Sequence, residues 1–228
     1  MPMAQAFELL ALLMSGPPGC GKTALAGHLA GALERPLLVK RASDLLSPWV
    51  GETEANLARA FESARRDDAV LLLDEADSFL GARHAGQRSW ERSQVNELLK
   101  QLEDFEGWFF AATNLPDALD PAALRRFDFK LRFGWLDADA RLAMLEDFLE
   151  RHAIGARLDA HERRRAVVEL PFLVPGYLGA VTRRVVAFHA DIDERQVLDW
   201  LAEEHAAKPE ARQRPIGFVR THDALAER

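Results

Sequence analysis

Cysteine is almost absent from this sequence, and other features that mark particular classes of protein are missing too. The single cysteine, Cys20, can form no internal disulfide, which favours a reducing compartment such as the cytoplasm. No apolar run approaches the roughly 20 residues that a membrane-spanning helix requires. The net charge of −7 provides no broad positive surface for nucleic acid. These absences predict a cytoplasmic globular protein with no membrane span and no general affinity for nucleic acid.

The remaining composition is that of an ordinary globular protein. Hydrophobic residues make up 48% and charged residues 29% of the 228 residues. A chain of this length can bury a substantial core, and it suits one large domain or a domain with a small satellite.

Residues 16–23 read GPPGCGKT and fit the phosphate-binding pattern GxxxxGK[ST] without a mismatch. Glycines let successive backbone N–H groups converge on phosphates, and the helix that follows directs its positive end at the same anion. Lys22 can reach the outer phosphates, and the Thr23 hydroxyl can join the coordination of Mg²⁺. A glycine-rich turn without a ligand is the alternative, but an apolar strand before the motif and a helical pattern after it favour the nucleotide. We therefore predict an ATP site formed by Gly16, Pro17, Pro18, Gly19, Cys20, Gly21, Lys22, Thr23 and Ala24.

Two acids, Asp74 and Glu75, follow the continuous apolar run 70–73, which is typical of a strand buried on both faces of a parallel sheet. An Asp at the end of such a strand can hold Mg²⁺ together with Thr23, and the adjacent Glu can polarise an attacking water. Acids at an ordinary helix N-terminus are the alternative. Because a complete phosphate loop lies upstream, the sequence favours the catalytic interpretation.

A polar residue, Asn114, ends another buried apolar run, 108–112. The carboxyl ends of strands are where α/β folds bind ligands, so Asn114 could orient the attacking water or contact the γ-phosphate. A turn-forming Asn ahead of Leu115-Pro116 is a fair competitor.

The order of the periodic segments predicts an α/β fold with three layers around a five-stranded parallel sheet. We expect strands near residues 9–14, 37–40, 70–73, 108–112 and 127–133, the last at an edge of the sheet. Helices are predicted at 23–33, 52–66, 90–104 and 119–124, with loops at 43–51 and 81–89. From residue 136 onward only helical patterns occur, at 137–152, 158–170, 176–189 and 193–206. The predicted organisation is a nucleotide-binding domain over 1–135, an all-helical lid over 136–206 and a loosely ordered tail over 207–228.

The sequence resembles the AAA-family (AAA+) P-loop ATPases in four motifs that occur in the family's order: GPPGCGKT, SPWVGETEANLARAF, VLLLDEADSFL and FFAATNLPDALDPAALRRFDF. Within the family it resembles the spastin-, katanin- and bacterial-type members. The resemblance covers residues 11–133 and continues more weakly to residue 206. It implies an ATPase that converts ATP and water to ADP and phosphate, with Mg²⁺ as cofactor.

The resemblance also implies a role for each matching residue. Asp74 would serve Mg²⁺, Glu75 would be the catalytic base, and Asn114 would sense the γ-phosphate. Arg125 and Arg126 match the family's arginine fingers, which act on the nucleotide of a neighbouring subunit and can contribute about 10³–10⁵ in rate. A solvated arginine pair on the surface is the alternative. If the fingers act in trans, the chain must self-associate into a ring, expected to be a hexamer.

Trp49 and Val50 match the family's pore loop, in which an aromatic residue lines the central channel and grips an extended polypeptide. The alternative is that Trp49 packs against its own domain. Residues 81–92, with His84 and Trp90, would correspond to a second pore loop.

Two departures from the family pattern are visible. The family usually has a linker and a helix before the first strand, so we expect this chain to be a fragment of a longer protein or a truncated member with weakened nucleotide affinity. In the lid, Pro175-Gly176-Tyr177 stands where related members carry Ser-Gly-Ala. No second-sensor arginine can be assigned there, and Arg183 and Arg184 are distant candidates.

Three functions follow from these observations. The first is an ATP-driven motor that forms a ring and pulls on protein substrates. The second is a nucleotide-switched scaffold with little turnover, which the intact Glu75 weighs against. The third is a P-loop small-molecule kinase. The kinase hypothesis is disfavoured by the Asp74-Glu75 pair, Asn114 and the two arginines, because a kinase has no use for an activated water.

Overall fold

The computed structural model describes residues 10–81, 89–115, 117, 119–188 and 192–207, with only the backbone for 89–92. The chain divides into two compact units, and the division falls between Gly134 and Trp135. Residues 208–228 of the predicted tail and residues 82–88 of the predicted second pore loop, including His84, lie outside the described residues, as does the side chain of Trp90.

The first unit is built on a five-stranded parallel sheet, as the sequence predicted. The strands are β1 (Leu10–Ser15), β2 (Leu37–Arg41), β3 (Val70–Asp74), β4 (Trp108–Thr113) and β5 (Phe129–Arg132). Their order is β2-β3-β4-β1-β5, and every pair is parallel. Strands β1, β3 and β4 are almost entirely buried because helices cover both faces, which explains their continuous apolar sequences. All four residues of β5 are exposed, in keeping with the edge position.

Six helices of the described chain belong to this unit: α1 (Lys22–Ala32), α2 (Ala42–Leu45), α3 (Glu52–Arg66), α4 (Asp77–Leu80), α5 (Ser89–Glu103) and α6 (Pro121–Leu124). Alternate residues of the central strands face different clusters of apolar side chains. Leu13 and Leu73 pack with the cluster that includes α3 and α5, whereas Met14 and Leu72 pack with α1. This arrangement confirms the three-layer architecture.

Two of these helices were not predicted. Helix α2 begins at Ala42 and overlaps the start of the segment 43–51 that the sequence indicated as a loop, and α4 begins two residues after Glu75. Each has only 4 residues, which is too short to show a helical period in the sequence. The short helix α6 was predicted, and its cap is Asp120, whose side chain accepts a hydrogen bond from the Ala122 N–H at 2.8 Å.

The described part of the second unit consists of four helices: α7 (Ala138–Arg151), α8 (Ala160–Val168), α9 (Pro175–Phe188) and α10 (Glu194–Ala206). An Asp caps the N-terminus of three of them: Asp137, Asp159 and Asp193 accept hydrogen bonds from backbone N–H groups of the first turn. No described helix in either unit is long and apolar enough to cross a membrane.

A buried carboxylate, Glu194, ties the start of α10 to the loop before α8 and to α8 itself. It is fully buried and accepts hydrogen bonds from the Arg157 N–H at 2.8 Å, from the Leu158 N–H at 2.9 Å and from the Arg163 guanidinium. Burial raises the pKa of Glu194, but the hydrogen bonds from Leu158, Arg163 and Arg157 outweigh it, and the net pKa lies below the ordinary value. Glu194 is therefore charged in the folded protein and contributes to its stability.

We expect Glu194→Gln to lower the free energy of unfolding by about 3 kcal/mol at pH 7, because it removes the buried charge that pairs with the half-buried Arg163 and leaves that guanidinium only the more distant Glu146 at 3.6 Å. Because folding lowers the pKa of Glu194, this contribution is fully present above the ordinary value of 4.5 and is lost as the pH falls through the folded-state value. Urea unfolding followed by circular dichroism at several pH values measures both effects.

The matched control is Glu203→Gln, which breaks an exposed ion pair with Arg184 and should cost less than about 1 kcal/mol. Equal losses of unfolding free energy in the two variants would contradict the structural role of Glu194.

Candidate nucleotide-binding site

The predicted phosphate-binding residues lie between the end of β1 and the first turn of α1. Three glycines of this phosphate loop have left-handed backbone conformations: φ is 146° at Gly16, 78° at Gly19 and 99° at Gly21. Residues with a Cβ rarely adopt such conformations. At Gly16 space is also lacking, because a Cβ there would lie 2.4 Å from the Phe133 carbonyl oxygen. The glycines are thus required by backbone geometry.

The side chain of Lys22 lies inside the loop and is only 7% exposed. Its ammonium group donates to the carbonyl oxygens of Gly16 and Pro17, each at 2.9 Å, and to Asn114 Oδ1 at 2.7 Å. The structure therefore brings the predicted phosphate-binding lysine together with the polar residue after β4. Their separation in sequence is 92 residues, and the parallel pairing of β1 with β4 closes that gap.

Thr23 and Asp74, the two predicted Mg²⁺ ligands, also lie together. The Thr23 hydroxyl donates to Asp74 Oδ2 at 3.4 Å. Among the described residues, no group of three or more His, Cys, Asp or Glu side chains could hold a metal ion by itself. Mg²⁺ is commonly held by one or two protein oxygens together with phosphates and water. The pair therefore fits a Mg²⁺ ion that arrives with a nucleotide and does not fit a metal cage made of protein alone.

Glu75 follows β3 in a left-handed conformation, with φ at 59°. Its N–H donates to Asp74 Oδ1 at 3.0 Å, and its side chain is exposed. A left-handed conformation is strained for a residue with a side chain, and such residues concentrate at active sites. The turn is fixed to the neighbouring strand, because the Ala76 N–H donates to the Ala112 carbonyl at 2.9 Å. The Glu75 carboxylate is thus held at the edge of the site and open to water.

Asn114 follows the end of β4 and is exposed apart from its bond to Lys22. The local turn does not use its side chain as the acceptor for the Leu115 N–H. That N–H donates to Thr113 Oγ1 at 3.0 Å. The Thr113 hydroxyl in turn donates to Asp77 Oδ1 at 2.8 Å. Sequence reasoning missed Thr113 and Asp77, since nothing in the residue pattern indicates that these two side chains meet across strands.

The two candidate arginine fingers lie after α6, and both are exposed. Arg126 forms an ion pair with Glu103 at 2.5 Å, whereas Arg125 has no ion pair with any described residue. Neither arginine contacts the phosphate loop of its own chain within the described residues. An exposed pair such as Arg126–Glu103 is worth less than about 1 kcal/mol, so either arginine can be recruited by another molecule.

The loop between α2 and α3 presents the predicted pore residues to solvent. Trp49 is 74% exposed and Val50 is 98% exposed, so Trp49 does not pack against its own domain. The base of the loop is ordered by hydrogen bonds, since the Ser47 N–H donates to Thr53 Oγ1 at 2.9 Å and the Trp49 N–H donates to Ser47 Oγ at 3.2 Å. A groove of about 540 Å³ runs beside the tip and is lined by Trp49, Val50, Glu54 and Gln94 among others.

Comparison with known proteins identifies the same family over much of this chain. Residues 12–135 match the family model described as "ATPase family associated with various cellular activities (AAA)". An uncharacterized AAA family ATPase, y4kL, from Sinorhizobium fredii is 39% identical over 142 residues, which covers 61% of this chain and 42% of that protein. The ATP-dependent zinc metalloprotease FtsH 1 of Symbiobacterium thermophilum is 37% identical over 179 residues, covering 74% of this chain and 29% of that protein. The chain thus spans less than half the length of these relatives.

The solved AAA domain of FIGL-1 in complex with ADP has a similar fold. The TM-score is 0.61 at 25% sequence identity, and the match covers 85% of this chain and 70% of that one.

The geometry of Gly16 generates a stability prediction with a matched control. We expect Gly16→Ala to lower the free energy of unfolding by at least about 2 kcal/mol, because Ala is strained at this φ and its Cβ would collide with the Phe133 backbone. Gly27→Ala in α1 should raise the free energy of unfolding by about 0.5–1 kcal/mol, since beyond the chain neighbours and the backbone of the helix itself no heavy atom lies within 4 Å of the added Cβ, and Ala favours helix. Urea unfolding of both variants measures the difference, and a Gly16→Ala variant as stable as the wild type would contradict the site geometry.

Proposed function

This chain belongs to the AAA family of ATPases, and on that premise we propose that it binds ATP with Mg²⁺, hydrolyses it to ADP and phosphate, and uses the energy to remodel protein substrates in a ring of subunits. One observation carries the proposal above all others: two hydrogen-bonded pairs, Lys22 with Asn114 and Thr23 with Asp74, lie at the carboxyl edge of the sheet. This is the edge at which open α/β sheets bind ligands.

Binding is proposed to centre on the phosphate loop. Backbone N–H groups at the start of α1 would donate to the phosphates, and the helix dipole there favours negative charge. Lys22 would exchange the carbonyl oxygens of Gly16 and Pro17 for oxygens of the outer phosphates. Thr23 and Asp74 would hold Mg²⁺, and the ion would supply positive charge that offsets the negative charge of the phosphates.

Hydrolysis is proposed to depend on Glu75 and Asn114. The exposed Glu75 carboxylate can accept a proton from an attacking water, and the strained turn that carries it keeps it near Asp74. The Asn114 amide is already within hydrogen-bond distance of Lys22, so it lies where a γ-phosphate bound by that lysine would be recognised. An activated water is needed for hydrolysis and not for transfer to a small-molecule acceptor.

Self-association is proposed to complete the site. Arg125 and Arg126 are exposed, and within the described residues they make no contact with their own phosphate loop, so they are available to a neighbouring subunit. A guanidinium supplied in this way stabilises the charge of the transition state. The ring is proposed to be a hexamer, and the single cysteine, Cys20, suits a reducing compartment such as the cytoplasm.

Substrate handling is proposed for the tip of the loop between α2 and α3. Trp49 and Val50 present a large apolar surface to solvent on a base fixed by Ser47 and Thr53. A contiguous exposed apolar surface rimmed by polar residues marks an interaction site in many soluble proteins. An extended polypeptide fits the adjacent groove, whose lining combines the Trp49 ring with polar groups from Glu54 and Gln94.

The ATPase rate per subunit should rise with protein concentration, because the fingers act between subunits.

Glu75→Gln should lower turnover by about 10²–10⁴-fold while ATP still binds. Arg125→Ala should lower it by up to about 10³-fold, whereas Arg66→Ala, an exposed arginine paired with Asp67 at the end of α3, should leave it unchanged. Phosphate release and light scattering with and without ATP measure rate and assembly.

A mixing experiment tests action in trans. A mixture of Glu75→Gln and Arg125→Ala subunits should exceed the activity of either variant alone, because some interfaces then combine an intact glutamate with an intact arginine. A flat rate from a monomer would contradict the ring. Nucleotide binding without turnover would support the scaffold, and phosphate transfer that requires an acceptor would support the kinase.

Trp49→Ala should weaken the binding of a permanently unfolded, fluorescently labelled polypeptide by at least about 30-fold, since buried aromatic anchors commonly contribute 2 kcal/mol or more. Trp49→Phe should fall between that variant and the wild type. The measurement is fluorescence anisotropy in the Glu75→Gln background with ATP. Phe188→Ala, which removes an aromatic that is 64% exposed on α9, is the control and should bind as the parent does. Unchanged affinity in Trp49→Ala would contradict the role of this loop.

A further inference from the structure

The Thr113 hydroxyl connects two turns that belong to the proposed catalytic site. Thr113 is the last residue of β4 and is only 1% exposed. Its Oγ1 donates to Asp77 Oδ1 at 2.8 Å and accepts from the Leu115 N–H at 3.0 Å. A hydroxyl has one donor and accepts at its lone pairs, so both functions of this group are in use.

Each partner of Thr113 lies beside a residue with a proposed chemical role. Asp77 begins α4, two positions after Glu75, and Leu115 follows Asn114 directly. One buried oxygen therefore joins the turn that carries Glu75 to the turn that carries Asn114. Backbone pairing supports the same junction, because the Ala76 N–H donates to the Ala112 carbonyl at 2.9 Å.

Both turns need such a restraint. Glu75 has a left-handed φ of 59°, which persists only where the surrounding structure fixes it. The contact from Thr113 to Asp77 holds the residues that follow this turn against β4. On the other side, Thr113 satisfies the Leu115 N–H, which leaves the Asn114 amide free to bond with Lys22 instead of closing a local turn.

We propose that Thr113 is a positioning residue for hydrolysis. It holds the Glu75 carboxylate and the Asn114 amide at fixed positions relative to each other. The inference rests on the ATPase activity proposed above. Thr113 itself is buried beneath the site, and its hydroxyl donates its proton to Asp77 and accepts from Leu115, so it acts through its neighbours and does not touch the reacting atoms.

This role affects the chemical step more than nucleotide binding. Lys22 and Thr23 are placed by the phosphate loop and α1. The loop meets Thr113 through the backbone, since the Gly16 N–H donates to the Thr113 carbonyl oxygen at 3.2 Å, and a change of the Thr113 side chain keeps that carbonyl. Water activation depends on the relative positions of Glu75 and Asn114. A displacement of about 1 Å in such an arrangement can lower the rate about 100-fold.

The first test is Thr113→Val, which nearly preserves shape while removing both hydrogen-bond functions. We expect kcat to fall by about 10–100-fold with KM for ATP within about threefold of the wild type. Thr113→Ser, which keeps the hydroxyl, should recover kcat to within about threefold. Asp77→Ala should resemble Thr113→Val, and the double variant should be no slower than the slower single variant, because the two residues act as one unit. Thr182→Val is the control: it removes a hydroxyl bonded to the Leu178 carbonyl in α9 and should leave kcat unchanged.

Two further readouts do not require turnover. Hydrogen exchange at the Leu115 amide should be faster in Thr113→Val than in Thr113→Ser, because Val offers no acceptor. The ratio of affinities for ATPγS and ADP should move toward one in Thr113→Val by up to about threefold, the same limit that is expected for KM, since a displaced Asn114 would recognise the γ-phosphate less well. If the wild type does not hydrolyse ATP, the proposed function is overturned, and these two readouts decide the positioning role separately.

The inference is overturned if Thr113→Val keeps wild-type kcat, wild-type exchange at Leu115 or a wild-type affinity ratio. It is also overturned if Thr113→Ser loses as much activity as Thr113→Val, or if kcat falls only in proportion to folded protein. A circular dichroism melt of each variant supplies the folded fraction.

Discussion

Lys22 carries a positive charge into a nearly enclosed position, and the surrounding architecture must accommodate that charge. A buried ammonium without acceptors is strongly unfavourable, so the group needs oxygen atoms on several sides. Two come from the loop itself, at Gly16 and Pro17, and the third comes from Asn114 beyond β4. The cation thereby joins the first crossover of the fold to a strand much later in the chain. The Lys22 ammonium group thus couples the conformation of the phosphate loop to the strand order and to the orientation of the Asn114 amide.

Strand register explains why these groups meet. Ser15 is level with Thr113, and Leu73 is level with Ala111, so β1, β3 and β4 end at nearly the same height. In a parallel sheet the residues after such strands share one edge. Strands β1, β3 and β4 are adjacent in the sheet, and this adjacency brings together the phosphate loop, the acidic pair and Asn114. In sequence, long helices separate these three segments. Burial of the three strands on both faces fixes that register, because a slip of one residue would exchange the two apolar faces.

Much of this arrangement could be predicted from sequence, because periodicity and motif spacing carry it. The bounds of α3 follow from its apolar stripe, and the strand ends at Asp74 and Thr113 follow from apolar runs that stop at polar residues. What could not be predicted depends on contacts between distant residues. The left-handed Glu75, the bond between Thr113 and Asp77 and the pairing of Arg126 with Glu103 leave no local pattern. Helices α2 and α4 are too short to show a period, so they were missed as well.

The basic residues on the two edge strands, β2 and β5, affect how copies of the protein interact in concentrated solution. An open strand edge offers free N–H and C=O groups to other chains and is a template for aggregation. Strand β2 carries Lys40 and Arg41, and β5 carries Lys130 and Arg132, whereas the central strands carry no basic residue. Copies that approach edge to edge therefore repel each other. Salt screens this repulsion over a Debye length of about 8 Å at physiological ionic strength, so colloidal stability depends on the buffer as well as on the fold.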